Sequence, residues 1–293
     1  MSLTYKTFGA RGYTCQINRI DQGFRELGLQ EVRYPDFIYC NDSGYYEDAL
    51  NYKFQQSQKS KLILNVLDLP VWVNDCDFNK IYLQLLKADK ITCISKFVQG
   101  QIKHYFDLDS EIIYNPAKNI DSRLRDSGIK KYSQYKYMMV GRLRDQSKRA
   151  LLAINALKLL KHTNQLAVVG SEDIGYGDYL GLINDEKLND LYNSVDYVFM
   201  TSVQEGLGLP GCEAILGGAI PIICHDLSTF SEFYPQHWGC YPSAEAIANR
   251  IYLLENNTEI KKRLLQEVKQ LQPEIFKKLD YLEVANRIIN LVK

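Results

Sequence analysis

The run Thr201-Ser-Val-Gln-Glu205-Gly-Leu-Gly-Leu-Pro210-Gly-Cys-Glu213 sets two carboxylates around a glycine-containing turn. Proline is favoured in the first turn of a helix, so the pattern predicts a buried strand, a turn, and a helix opening at Pro210. Gly206 and Gly208 leave the backbone uncovered by side chains. The amides of Leu207, Gly208 and Leu209 can then converge on one phosphate or sugar hydroxyl beside the positive end of the helix dipole. Glu205 precedes the turn and Glu213 falls in the expected first helical turn, so both flank the same small space. By itself, Glu213 reads equally well as an acid compensating a helix dipole, an effect of about 0.3–1 kcal/mol. The glycines alone read equally well as a tight turn.

A second constellation, Val140-Gly-Arg142-Leu-Arg-Asp-Gln-Ser-Lys148, also lies between an expected strand and an expected helix. Arg142 offers a planar fork and Lys148 a mobile point charge, a combination suited to a diphosphate whose negative charge grows as a bond breaks. Without the later glutamates the same loop reads as solvated surface. A third loop, Phe8-Gly9-Ala-Arg-Gly12, ends the first expected strand in small residues. It lacks the Gly-x-Gly-x-x-Gly fingerprint of nicotinamide enzymes. The four histidines, His104, His162, His225 and His237, occupy no recognisable catalytic setting, although His225-Asp226 follows a strand that borders the expected site.

These loops need elements to position them. Short apolar runs alternate with amphipathic stretches throughout, the pattern of strands feeding helices in parallel sheets, and the class is α/β. Strands are expected near residues 5–8, 31–34, 61–67, 91–95 and 111–114, and again at 137–140, 165–169, 179–183, 196–201 and 220–224, with a helix at 148–161. Residues 119–134 are polar, carry Arg123, Arg125, Lys130 and Lys131, and lack apolar periodicity, so they read as a linker. The expected organisation is a short first domain over 1–118, a second doubly wound domain over 135–273, and a terminal helix over 274–293. Past Pro242 everything reads as helix, and the stripe of Ile275, Phe276, Leu279, Leu282, Ile289 and Val292 must dock somewhere.

The bulk properties narrow the function classes. Equal numbers of acidic and basic residues, 35 each, remove the long-range attraction that nucleic-acid and acidic-membrane binders use. The seven cysteines are scattered and contain no Cys-x-x-Cys pair, which favours reduced thiols over a zinc or redox motif. No apolar run approaches the roughly 20 residues of a membrane span, and the start lacks a signal peptide's apolar stretch, so the expectation is a cytoplasmic protein.

Taken together, these residues resemble the retaining glycosyltransferases of family 4, whose GT-B fold has two facing Rossmann-like domains. The Glu-x7-Glu motif stands as Glu205 to Glu213. Around it, Val140-Gly-Arg-Leu, Lys148, Val168-Val-Gly170, Tyr179-Leu-Gly-Leu, Lys187-Leu-Asn-Asp-Leu-Tyr192 and Glu213-Ala-Ile-Leu-Gly-Gly-Ala-Ile-Pro221 keep the family's order. The first half agrees through the Gly9 to Gly12 loop, through Ala88 to Ser95 and through Ile112 to Pro116. It departs in its short first domain and in Asn65-Val-Leu67-Asp68, where leucine stands in place of a frequent histidine.

The resemblance implies transfer of a sugar from a nucleoside diphosphate sugar to a hydroxyl of a glycan, lipid-linked or protein acceptor, without metal or other cofactor. It further implies that Arg142 and Lys148 hold the donor diphosphate, with Gly9, Gly12 and Gly170 among the donor-binding residues. Glu213 would hold the ribose hydroxyls. Glu205, with Gly206, Leu207, Gly208 and Leu209, would hold the transferred sugar, Glu205 being the catalytic candidate. Asp68 would stand on the acceptor side, and the last helix would cross back to the first domain. A GT-B isomerase or phosphorylase, or a non-catalytic nucleotide-sugar-binding protein, is an alternative on the same architecture. The basic segment 119–134 alone suggests a nucleic-acid acceptor, and a solvated linker explains it better.

Overall fold

A computed structural model describes residues 3–10, 16–69, 77–118, 120 and 123–293. The chain divides into two compact units, Met1–Pro116 with Lys277–Lys293, and Ala117–Phe276. The first unit carries strands β1 (Thr4–Phe8), β2 (Gln30–Glu31), β3 (Phe37–Cys40), β4 (Lys61–Val66), β5 (Lys90–Cys93) and β6 (Glu111–Ile112). Its helices are α1 (Gln16–Glu26), α2 (Tyr46–Gln56), α3 (Phe78–Leu85) and α4 (Lys96–Phe106). The second unit carries β7 (Tyr137–Val140), β8 (Leu166–Val169), β9 (Asp178–Gly181), β10 (Tyr197–Met200), β11 (Ile220–Cys224) and β12 (Gly239–Cys240). Helices α5 (Arg123–Asp126), α6 (Ala150–Leu160), α7 (Asp185–Ser194), α8 (Leu209–Leu216), α9 (Phe230–Phe233) and α10 (Ala244–Asn256) accompany them. The chain then runs through α11 (Thr258–Leu279) into α12 (Tyr281–Asn290), which belongs to the first unit.

Both sheets are parallel, with strand orders β2-β1-β3-β4-β5-β6 and β12-β11-β10-β7-β8-β9. Every residue of β3, β8, β10 and β11 is buried, as a parallel sheet covered on both faces requires. This is why these strands read as continuous apolar runs. The order of the second sheet reverses between β7 and β10, so a crevice opens beyond their carboxyl ends.

Two sequence expectations change here. The strand expected over 31–34 is only the edge pair Gln30–Glu31, and the central β3 lies beyond Pro35. A central position demands burial on both faces, which Phe37-Ile-Tyr-Cys40 satisfies and Glu31-Val-Arg-Tyr34 does not. The supposed linker is part of the second unit. Arg125 is mostly buried and donates to the carbonyls of Gly217, Tyr192 and Val195, at the ends of α8 and α7. There a cation satisfies carbonyls that no helical amide can reach and opposes both helix dipoles. Lys130 and Lys131 pair with Asp196 and Asp190. Local sequence reads these cations as solvated because their partners lie some 60 residues downstream.

The terminal stripe is split between two helices. Asp280 caps α12 by accepting from the amides of Leu282 and Glu283, and Val284, Ala285, Ile288 and Ile289 pack with Ile17, Ile20 and Phe24 of α1. Gly23 permits this approach, since a Cβ there would come within 2.7 Å of the Tyr281 carbonyl oxygen and 2.8 Å of the Ala285 Cβ. Tyr281 binds Glu26 at 2.7 Å and Arg287 binds the Ile112 carbonyl at 2.6 Å. Phe276, expected in the buried stripe, is 54% exposed. Among the described residues no helix is long and apolar enough to cross a membrane. Gly23→Val should destabilise the protein by about 1–3 kcal/mol through overpacking, read as a lower denaturant midpoint with an unchanged slope.

Candidate functional site

The loops after β7 and β10 meet at the reversal point of the second sheet. Thr201 Oγ1 donates to the Lys148 carbonyl at 2.8 Å, and the Val203 amide donates to the Ser147 carbonyl at 2.9 Å. Arg149 reinforces the join. Its guanidinium donates to the carbonyls of Thr201 and Ser202, at 2.6 and 3.2 Å, and forks onto Asp226 at 2.7 and 2.8 Å. Arg149 itself sits in the left-handed region, φ 48°, which costs a non-glycine residue roughly 1–2 kcal/mol. The four hydrogen bonds hold it there. The Arg149 guanidinium keeps the Asp226 carboxyl below its ordinary range, against the upward push of partial burial.

This join brings Lys148 Nζ to 2.7 Å from Glu205 Oε1, with both side chains mostly buried. Ser202 Oγ donates to the same oxygen at 2.7 Å, while Glu205 Oε2 has no hydrogen-bond partner among the described residues. Ser228 pins the Glu205 backbone, accepting from its amide and donating to its carbonyl. Nearby, Asp145 is held below the usual carboxylate range: burial pushes it up, and hydrogen bonds from Ser147 with the charges of Lys148 and Arg142 outweigh that push. Arg142 is exposed, and its guanidinium has no hydrogen-bond or ion-pair partner among the described residues.

The turn after Glu205 opens α8 at Leu209, which makes Pro210 the second helical residue and not the first. Gly208 caps the helix with φ 78° and ψ 42°, a left-handed conformation that favours glycine. The amides of Gly206, Leu207 and Gly208 have no acceptor among the described residues, and the Leu209 amide precedes any intrahelical carbonyl. The Leu207 side chain is buried and anchors the turn from below. Tyr234 lies under the first turn of α8, where a Cβ on Gly211 would come within 2.3 Å of its hydroxyl.

Glu213 is not in the first turn. It is the fifth residue of α8 and 3% exposed, with Oε2 accepting from the Tyr192 hydroxyl at 2.9 Å and Oε1 from the Lys118 amide at 3.1 Å. Burial raises the Tyr192 phenol well above its ordinary range and the Glu213 charge adds to that, so Tyr192 is the proton donor of the pair. The dipole-compensating alternative for Glu213 therefore fails, because its carboxylate meets side-chain and backbone donors well inside the helix.

The remaining candidates are dispersed. Gly170 follows β8 and closes on the β7 loop: a Cβ there would stand 2.2 Å from the Gly141 carbonyl oxygen. In the first unit, Gly9 ends β1 against Ile17 and Asn41. Asp68 follows β4 half-buried, close enough to Tyr46 to raise its phenol, though burial does so most. Gly12 lies outside the described residues.

No family model matches the chain, and no curated protein matches it in sequence. Solved structures do match. HepE from Anabaena, in complex with UDP-glucose, aligns over 99% of each chain with a TM-score of 0.76 at 14% identity. Sucrose-phosphate synthase from Thermosynechococcus elongatus aligns over 99% of this chain and 98% of its own, with a TM-score of 0.76 at 13% identity. A glycosyltransferase from Rickettsia africae aligns over 97% of this chain and 82% of its own, with a TM-score of 0.64 at 16% identity. The fold is GT-B.

Arg149 and Ser228 are absent from the sequence expectations, and Ser202 and Tyr192 appear there only within quoted runs, with no role assigned. Arg149 stands directly after Lys148 and Ser202 three residues before Glu205, so adjacency is a usable signal for both. The partnerships of Tyr192 and Ser228 stay hidden, since they reach their glutamates across 21 and 23 residues. A cavity of ≈ 760 Å³ lined by Leu143, Leu151, Ile154, Ile174 and Pro242 shares Arg149 but has no lining from Lys148, Glu205 or Glu213. The side-chain geometry, more than cavity size, marks the candidate site. Gly170→Ala should force the Gly141 turn outward and cost on the order of 1–3 kcal/mol, seen as a lower melting temperature.

Proposed function

We propose that this protein is a retaining glycosyltransferase that moves a sugar from a nucleoside diphosphate sugar to a hydroxyl acceptor. The observation that carries this reading is the Lys148–Glu205 contact, 2.7 Å long, beside the uncapped amides at the start of α8 and at the reversal point of a parallel sheet. A cation, a carboxylate and convergent amides in one crevice suit an anionic leaving group attached to a polyhydroxylated ring. The UDP-glucose held by HepE makes a uridine diphosphate sugar the first donor to test.

In this reading Arg142 and Lys148 bind the diphosphate and stabilise the charge that develops as the glycosidic bond breaks. The amides of Gly206, Leu207, Gly208 and Leu209 point at donor oxygens, and Gly170 keeps the β7 loop in register with them. Glu205 accepts from a hydroxyl of the transferred sugar through Oε2 and places Lys148 through Oε1. Glu213, oriented by Tyr192 and Lys118, has lone pairs left for the ribose hydroxyls. The sequence resemblance alone assigns Gly9 and Gly12 to the donor and Asp68 to the acceptor. Lys148, held in place, and Arg142 supply the charge that a metal supplies elsewhere, so the reaction proceeds without one.

Lys148→Ala should lower kcat/KM for UDP-glucose hydrolysis or transfer by about 10²–10³-fold, the loss typical of one preorganised donor, while the melting temperature stays near that of the wild type. Undiminished turnover by this variant would rule the pocket out. Turnover in excess chelator should be unchanged, and NMR of the first-formed product should show the donor's anomeric configuration. Formation of a sugar phosphate or an epimer in place of a new glycoside would assign the chain to the phosphorylase or isomerase alternative.

A further inference from the structure

Cys224 ends β11 and Cys240 ends β12, and the two are directly paired across the parallel strands. The two sulfurs lie close enough to shift one another's protonation, and Cys240 Sγ donates to the Ile223 carbonyl at 3.1 Å. Neighbouring strands run about 4.8 Å apart, inside the Cα separation of roughly 4.4–6.8 Å that a disulfide spans. Cys224 is buried, whereas Cys240 is half-buried. The other free cysteines among the described residues, Cys40, Cys93 and Cys212, are all buried.

The surroundings divide the roles of the two sulfurs. The neighbouring Cys224 sulfur and then the charge of Arg250 lower the Cys240 thiol, while burial works against them. The Cys240 sulfur, with burial, raises Cys224. Cys240, the less buried of the two, is therefore the nucleophilic sulfur and Cys224 the resolving one. Strand separation at this point depends on Gly239, where a Cβ would come within 2.8 Å of the His225 Cβ.

His225 and Asp226 connect the cysteine pair to the loops that hold Lys148 and Glu205. His225 is fastened to Cys240, its amide donating to the Cys240 carbonyl at 3.0 Å and its Nδ1 lying 2.9 Å from the same oxygen. The next residue, Asp226, holds the Arg149 fork that clamps the carbonyls of Thr201 and Ser202. Disulfide-bonded cysteines most often hold their Cα atoms about 5.5–6 Å apart, wider than the strand spacing, so closing the bond spreads the two strand ends and moves Asp226.

We propose that Cys224 and Cys240 form an oxidation site, a dithiol that closes reversibly to a disulfide and in closing disturbs the Arg149–Asp226 pair. The oxidant is a peroxide. The Cys240 thiolate attacks one peroxide oxygen, an S–O bond forms as the O–O bond breaks, and hydroxide leaves. The Cys224 sulfur then attacks the sulfenic sulfur, an S–S bond forms, and the hydroxyl departs with the Cys224 proton as water. The sulfur pair loses two electrons, the hydroxide takes up the proton that Cys240 released on ionising, and the peroxide ends as two waters.

The test treats the full chain with hydrogen peroxide under native conditions, alkylates the remaining thiols, and maps unreduced peptides. The peptides bearing Cys224 and Cys240 should be cross-linked, dithiothreitol should release them, and Cys240→Ala or the milder Cys240→Ser should abolish the link. Hydrogen exchange across residues 201–209 should rise several-fold in the oxidised wild type and stay constant in either variant. That readout uses no nucleotide, so it stands apart from the donor reading, which UDP binding by the reduced protein tests separately. Recovery of alkylated Cys224 and Cys240 from folded, peroxide-treated protein overturns the proposal. So does a disulfide that leaves exchange at 201–209 unchanged.

Discussion

The arrangement depends on the stitching of two strand-to-helix loops where the second sheet reverses its strand order. Lys148 and Glu205 are 57 residues apart in sequence and touch because Thr201 grips the Lys148 carbonyl and Val203 grips that of Ser147. The ion pair does not hold the loops together. A mostly buried lysine–glutamate pair loses most of its attraction to desolvation, whereas each loop-to-loop hydrogen bond contributes about 0.5–1.5 kcal/mol and several act together. The backbone join comes first, and the pair is its product. Arg149 is the most committed member, holding an unfavourable backbone conformation to reach three acceptor residues at once.

Helix α8 is positioned from three sides. Arg125 occupies its carboxyl end, Tyr234 packs beneath Gly211, and Glu213 is tied to Tyr192 and Lys118. Glycine is required at two of these contacts by space alone, since Tyr192 and Tyr234 crowd Gly217 and Gly211 closer than any Cβ tolerates. A helix of eight residues has little stability of its own. Its direction, and so the aim of the amides that open it, is set by these tertiary contacts. Arg125, Lys130 and Lys131 are bound within this unit, which weakens the feature that had pointed toward nucleic acid.

Some elements were legible in the sequence because burial leaves a local mark. The runs of β7, β8, β10 and β11 are apolar throughout, which a strand covered on both faces must be, and Pro210 placed the start of α8 within one residue. The loop residues Arg142, Lys148 and Glu205 stood out as candidates because two loops of charges and glycines recur at strand ends, although each loop alone reads as a turn or a solvated surface. Where two stretches competed for one role, as at 31–34 and 37–40, alternation misled, because the central strand does not alternate. Glu213 was misplaced by one helical turn, and its partners stayed invisible.

The sequence by itself determined the parallel α/β architecture, its division into two units, and which residues could meet an anion, since apolar runs, turn glycines and isolated charges act within a few residues of chain. Only the tertiary structure decided which of those charges are spent internally. Arg125, Arg149 and Glu213 are bound to carbonyls, to a carboxylate and to buried donors from remote segments. Cys224 and Cys240 became neighbours in the same way, through strand pairing. Partnership across a sheet is set by the order of strands in space, and nothing in local sequence encodes that order.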